Sequence, residues 1–261
     1  MVFEFRARIL YTLIVKFYSL FHDVEVDNSK LILEKHGADI GNLMLLLNLF
    51  LDRINLLNGK IKSDEYPSST ILDIAIQNIQ LCGNAMILFT QGYLRTTYIL
   101  NRVIAEQTIL SMFFDEFPDK EREYATLNYR DFFRDQKMEE IVKRIDKVGV
   151  KYKRGEGKQW YKSLFVPLYK EHSRSVHLDL DFLSNIQWDE NMQISRITPM
   201  FPNEKATLAT MLILYQLTLT ALNAFETHFN KALPEFTAEQ EEIFPRVIEI
   251  VNKLNLKLKS S

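Results

Sequence analysis

The sequence predicts an all-α protein, a single-domain helical bundle of about eight or nine helices. Three observations carry that expectation. Apolar residues recur at spacings of three and four along most of the chain, the period of one face of an α-helix. Only 8 Gly and 7 Pro punctuate 261 residues, too few turn signals for a sandwich or barrel of short strands. With 47% apolar and 25% charged residues the chain can bury a substantial core, so disorder is not expected.

The N-terminal stretch MVFEFRARILYTLIVKFYSLFHD carries an apolar run from Ile9 to Val15 that Lys16 interrupts, and no small-residue cleavage site follows it. It is expected to be an amphipathic first helix and not a secretion signal. From Asn28, apolar residues at Leu31, Leu45, Leu46, Phe50, Ile54 and Leu57 predict more helix, with a break near Gly37 and Gly41 and a stop at Asn58 and Gly59. After the linker KIKSDEYPSS, a second long segment runs from about Thr70 through Phe117. Gly83 and Gly92 are its weak points, Gly92 the preferred break, and the helix after it should end before Pro118. Asp119 to Gln136 is charged and aromatic at mixed spacing, which predicts a surface helix; Met138 to Val148 follows, ending at Gly149.

GVKYKRGEGKQW is the clearest loop, with Gly149, Gly155 and Gly157 amid basic residues. Helical spacing resumes from Trp160 to Leu183, and Pro199 and Pro202 mark Asn185 to Asn203 as an irregular crossover. Two helices close the chain, from about Lys205 to Lys231 and from about Thr237 to Leu258. The first contains Ala206 to Phe225, 20 residues without a charge, enough to cross a bilayer. Thr207, Thr210, Gln216, Thr218, Thr220 and Asn223 spread polar groups along it, so a central helix buried by its neighbours is expected, with no integral membrane span. The second opens on Thr237-Ala-Glu-Gln240, the pattern of a capping box.

Composition and motif searches exclude several function classes. A formal charge of −2 gives no global attraction to nucleic acid or anionic lipid. Cys82 is the lone cysteine, so no intramolecular disulfide or Cys-rich zinc site can form, and a reducing cytoplasm is the expected location. No phosphate loop, dinucleotide fingerprint, H-E-x-x-H or G-x-S-x-G motif occurs. No His has Glu three residues before it, which removes the di-iron centre of helical bundles. No cofactor or metal is expected.

Two constellations could carry chemistry. Arg102 and Glu106 lie about 40° apart on one helix face, with Leu110 and Phe113 continuing the stripe. This predicts an ion pair in apolar surroundings, either structural or part of a site. In WYKSLFVPLYKEHSRSVHLDL, Tyr169, Ser173 and His177 step by four residues along one stripe. A nucleophilic Ser173 is disfavoured, since one helix supplies neither an orienting acid nor an oxyanion hole. A third feature is electrostatic: between Lys143 and Lys162 eight basic residues face two acidic ones, a local net charge of +6 that includes Lys151, Lys153, Arg154, Lys158 and Lys162. Tyr152, Trp160 and Tyr161 interleave with them and could stack on bases. A plain solvated surface is the alternative.

The spacing from Gly92 through Arg102 to Glu106, followed by Trp160 and by Y-x-x-x-S-x-x-x-H from Tyr169 to His177, resembles a bacterial helical family known as domain of unknown function 5677. The resemblance spans roughly residues 69–232, with helices of 1–58 packed on that core. It implies an all-helical fold that gathers Arg102, Glu106, Tyr169, Ser173 and His177 into one polar centre. Such proteins are distantly similar to HEPN nucleases, whose site is an Arg followed after four to six intervening residues by His. Here the nearest arrangement is Arg174-Ser-Val-His177, which is too short.

The first functional expectation is therefore a cytoplasmic helical protein with a pocket for an anionic, phosphate-bearing small molecule. Arg102 would bind the anion, Glu106 would orient Arg102, and Tyr169 and Ser173 would hold the imidazole of His177. The enzyme alternative is a HEPN-like RNase or defence effector using Arg102 and His177, with the basic loop gripping RNA. The third is an interaction scaffold or membrane-associated protein docking through its first or last helix, and a homodimer fits any of the three.

Overall fold

A computed structural model describes residues 2–61, 70–127, 132, 137–148 and 204–260; among these, the side chains described are those of 22–57, 70–94, 96–127, 132, 137–145 and 204–260. The described residues form an all-α packed bundle without a strand. In chain order the helices are α1 (Val2–Ile61), α2 (Thr70–Thr90), α3 (Leu94–Glu116), α4 (Pro118–Thr126), α5 (Met138–Val148), α6 (Glu204–His228), the single turn α7 (Ala238–Glu241) and α8 (Ile243–Ser260).

The long α1 departs from the expected break. It runs through Gly37 and Gly41 and past Asn58 and Gly59 to Ile61 without interruption. A glycine inside a helix costs only about 1 kcal/mol relative to alanine, and the helix is anchored on both sides of the pair by Ile32, His36, Ile40 and Leu43, all buried. Its buried stripe continues through Leu46, Phe50, Ile54 and Leu57, while Leu45, expected among them, faces outward. The run LMLLLNLFL has Asn48 as its one polar residue, too little to separate the inward from the outward leucines.

The break at Gly92 falls where the spacing places it. Gly92 adopts φ of +89°, a left-handed conformation that residues with a Cβ seldom take, and there α2 folds back into α3. The Asn28 side-chain amide donates to the Gln91 carbonyl, and the Tyr93 hydroxyl donates to Glu25, fastening this turn to α1. Helix α3 stops at Glu116 and Pro118 opens α4, which buries none of its residues; the surface helix expected over Asp119 to Gln136 ends at Thr126, and Phe132 in the same stretch is buried against Phe114 and Tyr124. The four-residue α7 begins on the expected capping box, where Thr237 and Gln240 exchange side-chain and backbone bonds. The last helix was expected as one piece and is two. Pro245 has no N–H for the Glu241 carbonyl and its ring would strike that carbonyl, so the chain restarts as α8 at Ile243.

Helix α6 is the centre of the bundle, packing against α1, α2, α3 and α8. Its uncharged stretch is buried along most of its length, and Thr210 and Thr220 are buried with it because they return their hydroxyl protons to the carbonyls of Ala206 and Gln216. By length and composition alone, three helical segments could cross a membrane: His22–Leu57 within α1, α2 and α6.

Candidate functional site

Of the residues expected to form a polar centre, Arg102 and Glu106 are described, and Tyr169, Ser173 and His177 lie outside the described residues. So do Lys151, Lys153, Arg154, Lys158 and Lys162 of the basic loop. The Arg102–Glu106 pair forms: Nε and Nη2 of Arg102 both donate to Glu106 Oε1 at 3.3 Å. It is less enclosed than expected, with side chains 19% and 16% exposed, although Leu110 and Phe113 on the same stripe are buried.

The most enclosed charge in the described bundle lies elsewhere, at Arg53. Its side chain is 2% exposed, facing inward from α1 between Phe50 and Leu57. Arg53 Nε donates to Glu226 Oε1 at 2.6 Å and Nη2 donates to Glu226 Oε2 at 2.9 Å, a bidentate fork whose second nitrogen also reaches the Pro234 carbonyl at 2.6 Å. The guanidinium carbon lies 4.3 Å from the centre of the Phe236 ring, a cation–π contact. Beside it His228 Nδ1 is 2.6 Å from Asp115 Oδ1, linking the ends of α6 and α3. An ionised carboxylate only accepts, so the Nδ1–H of His228 donates to Asp115.

These groups sit at one end of the bundle for a physical reason. Asp115 and Glu226 occupy the last turns of α3 and α6, where the helix dipole is negative and a carboxylate is disfavoured unless a cation stands close. Arg53 stands against Glu226, and the ring N–H of His228 against Asp115. The space beside them is a pocket of about 650 Å³, lined by Arg53, Asp115 and Glu226 together with Thr227, Asn230 and Lys231 and the turn ending at Phe236. The sequence held a partial signal for it: Arg53 interrupts an apolar stripe, and Glu226 is the first charge after the 20-residue uncharged run.

A second polar cluster lies where α1, α6 and α8 meet. The buried His36 has Nε2 3.5 Å from Glu204, while Asp39 pairs with Lys253 at 3.3 Å and its carbonyl accepts from the buried Tyr215 hydroxyl. Burial lowers the pKa of His36 below 6.5; Glu204 and Asp39 oppose that, and Lys257 and Lys35 add to it. A base whose pKa is lowered by folding binds fewer protons in the native state. Stability from His36 is therefore complete above pH 6.5 and lost as pH falls through that value toward the native pKa. Thermal melts from pH 7.5 to 5.5 should show a fall in midpoint that His36→Leu reduces; equal falls in both proteins would refute this linkage.

Burial also pushes the Cys82 thiol up to about 12, so the lone cysteine is an inert core residue. Among the described residues no cluster of His, Cys, Asp and Glu could hold a metal ion. No family model matches the chain, and comparison with curated proteins and with solved structures finds no match either.

Proposed function

We propose that this chain is a cytoplasmic, single-domain helical protein that binds a small amine-bearing molecule in the pocket at the ends of α3 and α6. The observation that carries this reading is the charge around that space. Arg53 and Glu226 neutralise each other, which leaves two carboxylates, Asp115 and Glu235, against Lys231 on its lining, with the ring N–H of His228 on one oxygen of Asp115. The negative ends of two helices add to that excess of one carboxylate, so the space favours an ammonium group over a phosphate. Thr227 and Asn230 offer hydrogen bonds to the rest of such a molecule.

The anion-binding reading belongs to another place, the Arg102–Glu106 pair, with Tyr169, Ser173 and His177 as its further members. It is favoured by a formed ion pair that is enclosed but still accessible. One experiment separates the two. Thermal midpoints are measured with putrescine, with inorganic phosphate and with a short single-stranded RNA. Stabilisation by putrescine that Asp115→Asn removes supports the amine pocket. A shift with phosphate alone that Arg102→Ala removes would overturn it in favour of the anion site, and RNA cleavage abolished by His177→Ala would favour the nuclease. No response to putrescine at millimolar concentration would also overturn the amine reading.

A further inference from the structure

The outward face of α1 is built as a helix-pairing seam. Gly37, Gly41, Met44, Asn48, Leu51 and Asn55 follow one another at spacings of four and three, the heptad pattern of a coiled-coil contact, and none of them is buried. Val26, Leu33, Met44 and Leu51 lie within about 20° of one another at 100° per residue, and they are 37–49% exposed. From Gly37 to Leu51 this face carries no charge.

The two glycines make the face more than a scatter of exposed apolar side chains. Each costs the helix about 1 kcal/mol relative to alanine, and neither has positive φ. A Cβ built on either meets nothing within 4 Å, so no packing inside the chain requires a glycine there. What a pair of glycines one turn apart does provide is close approach for a second helix.

We infer that this face pairs with α1 of a second copy of the chain, antiparallel, with Gly41 opposite Gly41. The charges flanking the seam favour that partner and that direction. In this register Lys30 stands level with Asp52 of the second copy, Glu34 with Asn48 and Asp27 with Asn55, so each acid meets a cation or an amide donor. All six residues are exposed, and among the described residues no ion pair engages Lys30, Glu34 or Asp52. A parallel pair would instead bring together Asp23, Asp27 and Glu34 of both copies against one lysine from each.

Sedimentation equilibrium of the full chain tests this. The wild type should show twice the 30.7 kDa chain mass. Lys30→Glu should weaken the dimer at least about tenfold, and adding Asp52→Lys should restore most of the loss. Gly41→Leu should also disrupt it, and because leucine is the better helix former at an exposed site, circular dichroism will show a folded monomer. A monomer at the highest concentration reached, or a dimer indifferent to the charge swap and to Gly41→Leu, overturns the inference. So does a monomer that binds phosphatidylcholine–phosphatidylglycerol vesicles through this face, with binding lost in Met44→Asp.

Discussion

Arg53→Ala is expected to destabilise the fold by about 3–5 kcal/mol, the range for removing one partner of a buried ion pair. The loss would come less from the bonds broken than from what stays behind. Glu226 is 12% exposed and would keep its charge in the negative field at the end of α6 without a cation on it. The Pro234 carbonyl would lose its donor and Phe236 its cation. Urea unfolding followed by circular dichroism measures the effect, and at roughly 2–4 °C per kcal/mol for a chain of this size the thermal midpoint should move visibly. Arg102→Ala, removing an i,i+4 pair that water reaches, should cost under about 1 kcal/mol. Equal effects at the two sites would show that Arg53 is not electrostatically isolated. Replacing both partners, as Arg53→Met with Glu226→Leu, should recover much of the loss, because the stranded charge is then gone.

The contrast between these two arginines shows what a sequence discloses. Arg102 and Glu106 are four residues apart, and helical geometry alone brings them together. Arg53 and Glu226 are 173 residues apart, and only the packing of α1 on α6 joins them. The same distinction runs through the fold. Gly92, the Thr237 capping box and the limits of α5 were legible because each is fixed by its own few residues. The continuity of α1 was not, since it depends on anchoring from other helices on both sides of Gly37 and Gly41. Nor was the face of LMLLLNLFL, because a single Asn48 among eight apolar residues marks the outward side too weakly. The central position of α6 was legible from its threonines, whose hydroxyls can be satisfied by the helix's own carbonyls and so need no water.

Phe225→Ala tests that central position and is also expected to cost about 3–5 kcal/mol. Phe225 is 1% exposed, its ring centre 5.8 Å from that of Phe50 on α1 and 5.0 Å from that of Phe229. Truncation would open a cavity between α1 and α6 that neither rigid helix can close. The detergent-free protein should still unfold in one cooperative transition, displaced to lower urea; a Phe225 facing lipid would leave that transition unmoved and change detergent binding instead. Phe50–Phe225 and Arg53–Glu226 are successive contacts of the same two helices, three residues apart on one and adjacent on the other. Arg53→Ala and Phe225→Ala should therefore cost less together than the sum of their separate losses, because whichever comes first already loosens the seat of the second. Strict additivity would mean that the apolar and charged halves of the α1–α6 contact are held independently. That result would separate the pocket beside Arg53 energetically from the core on which it rests.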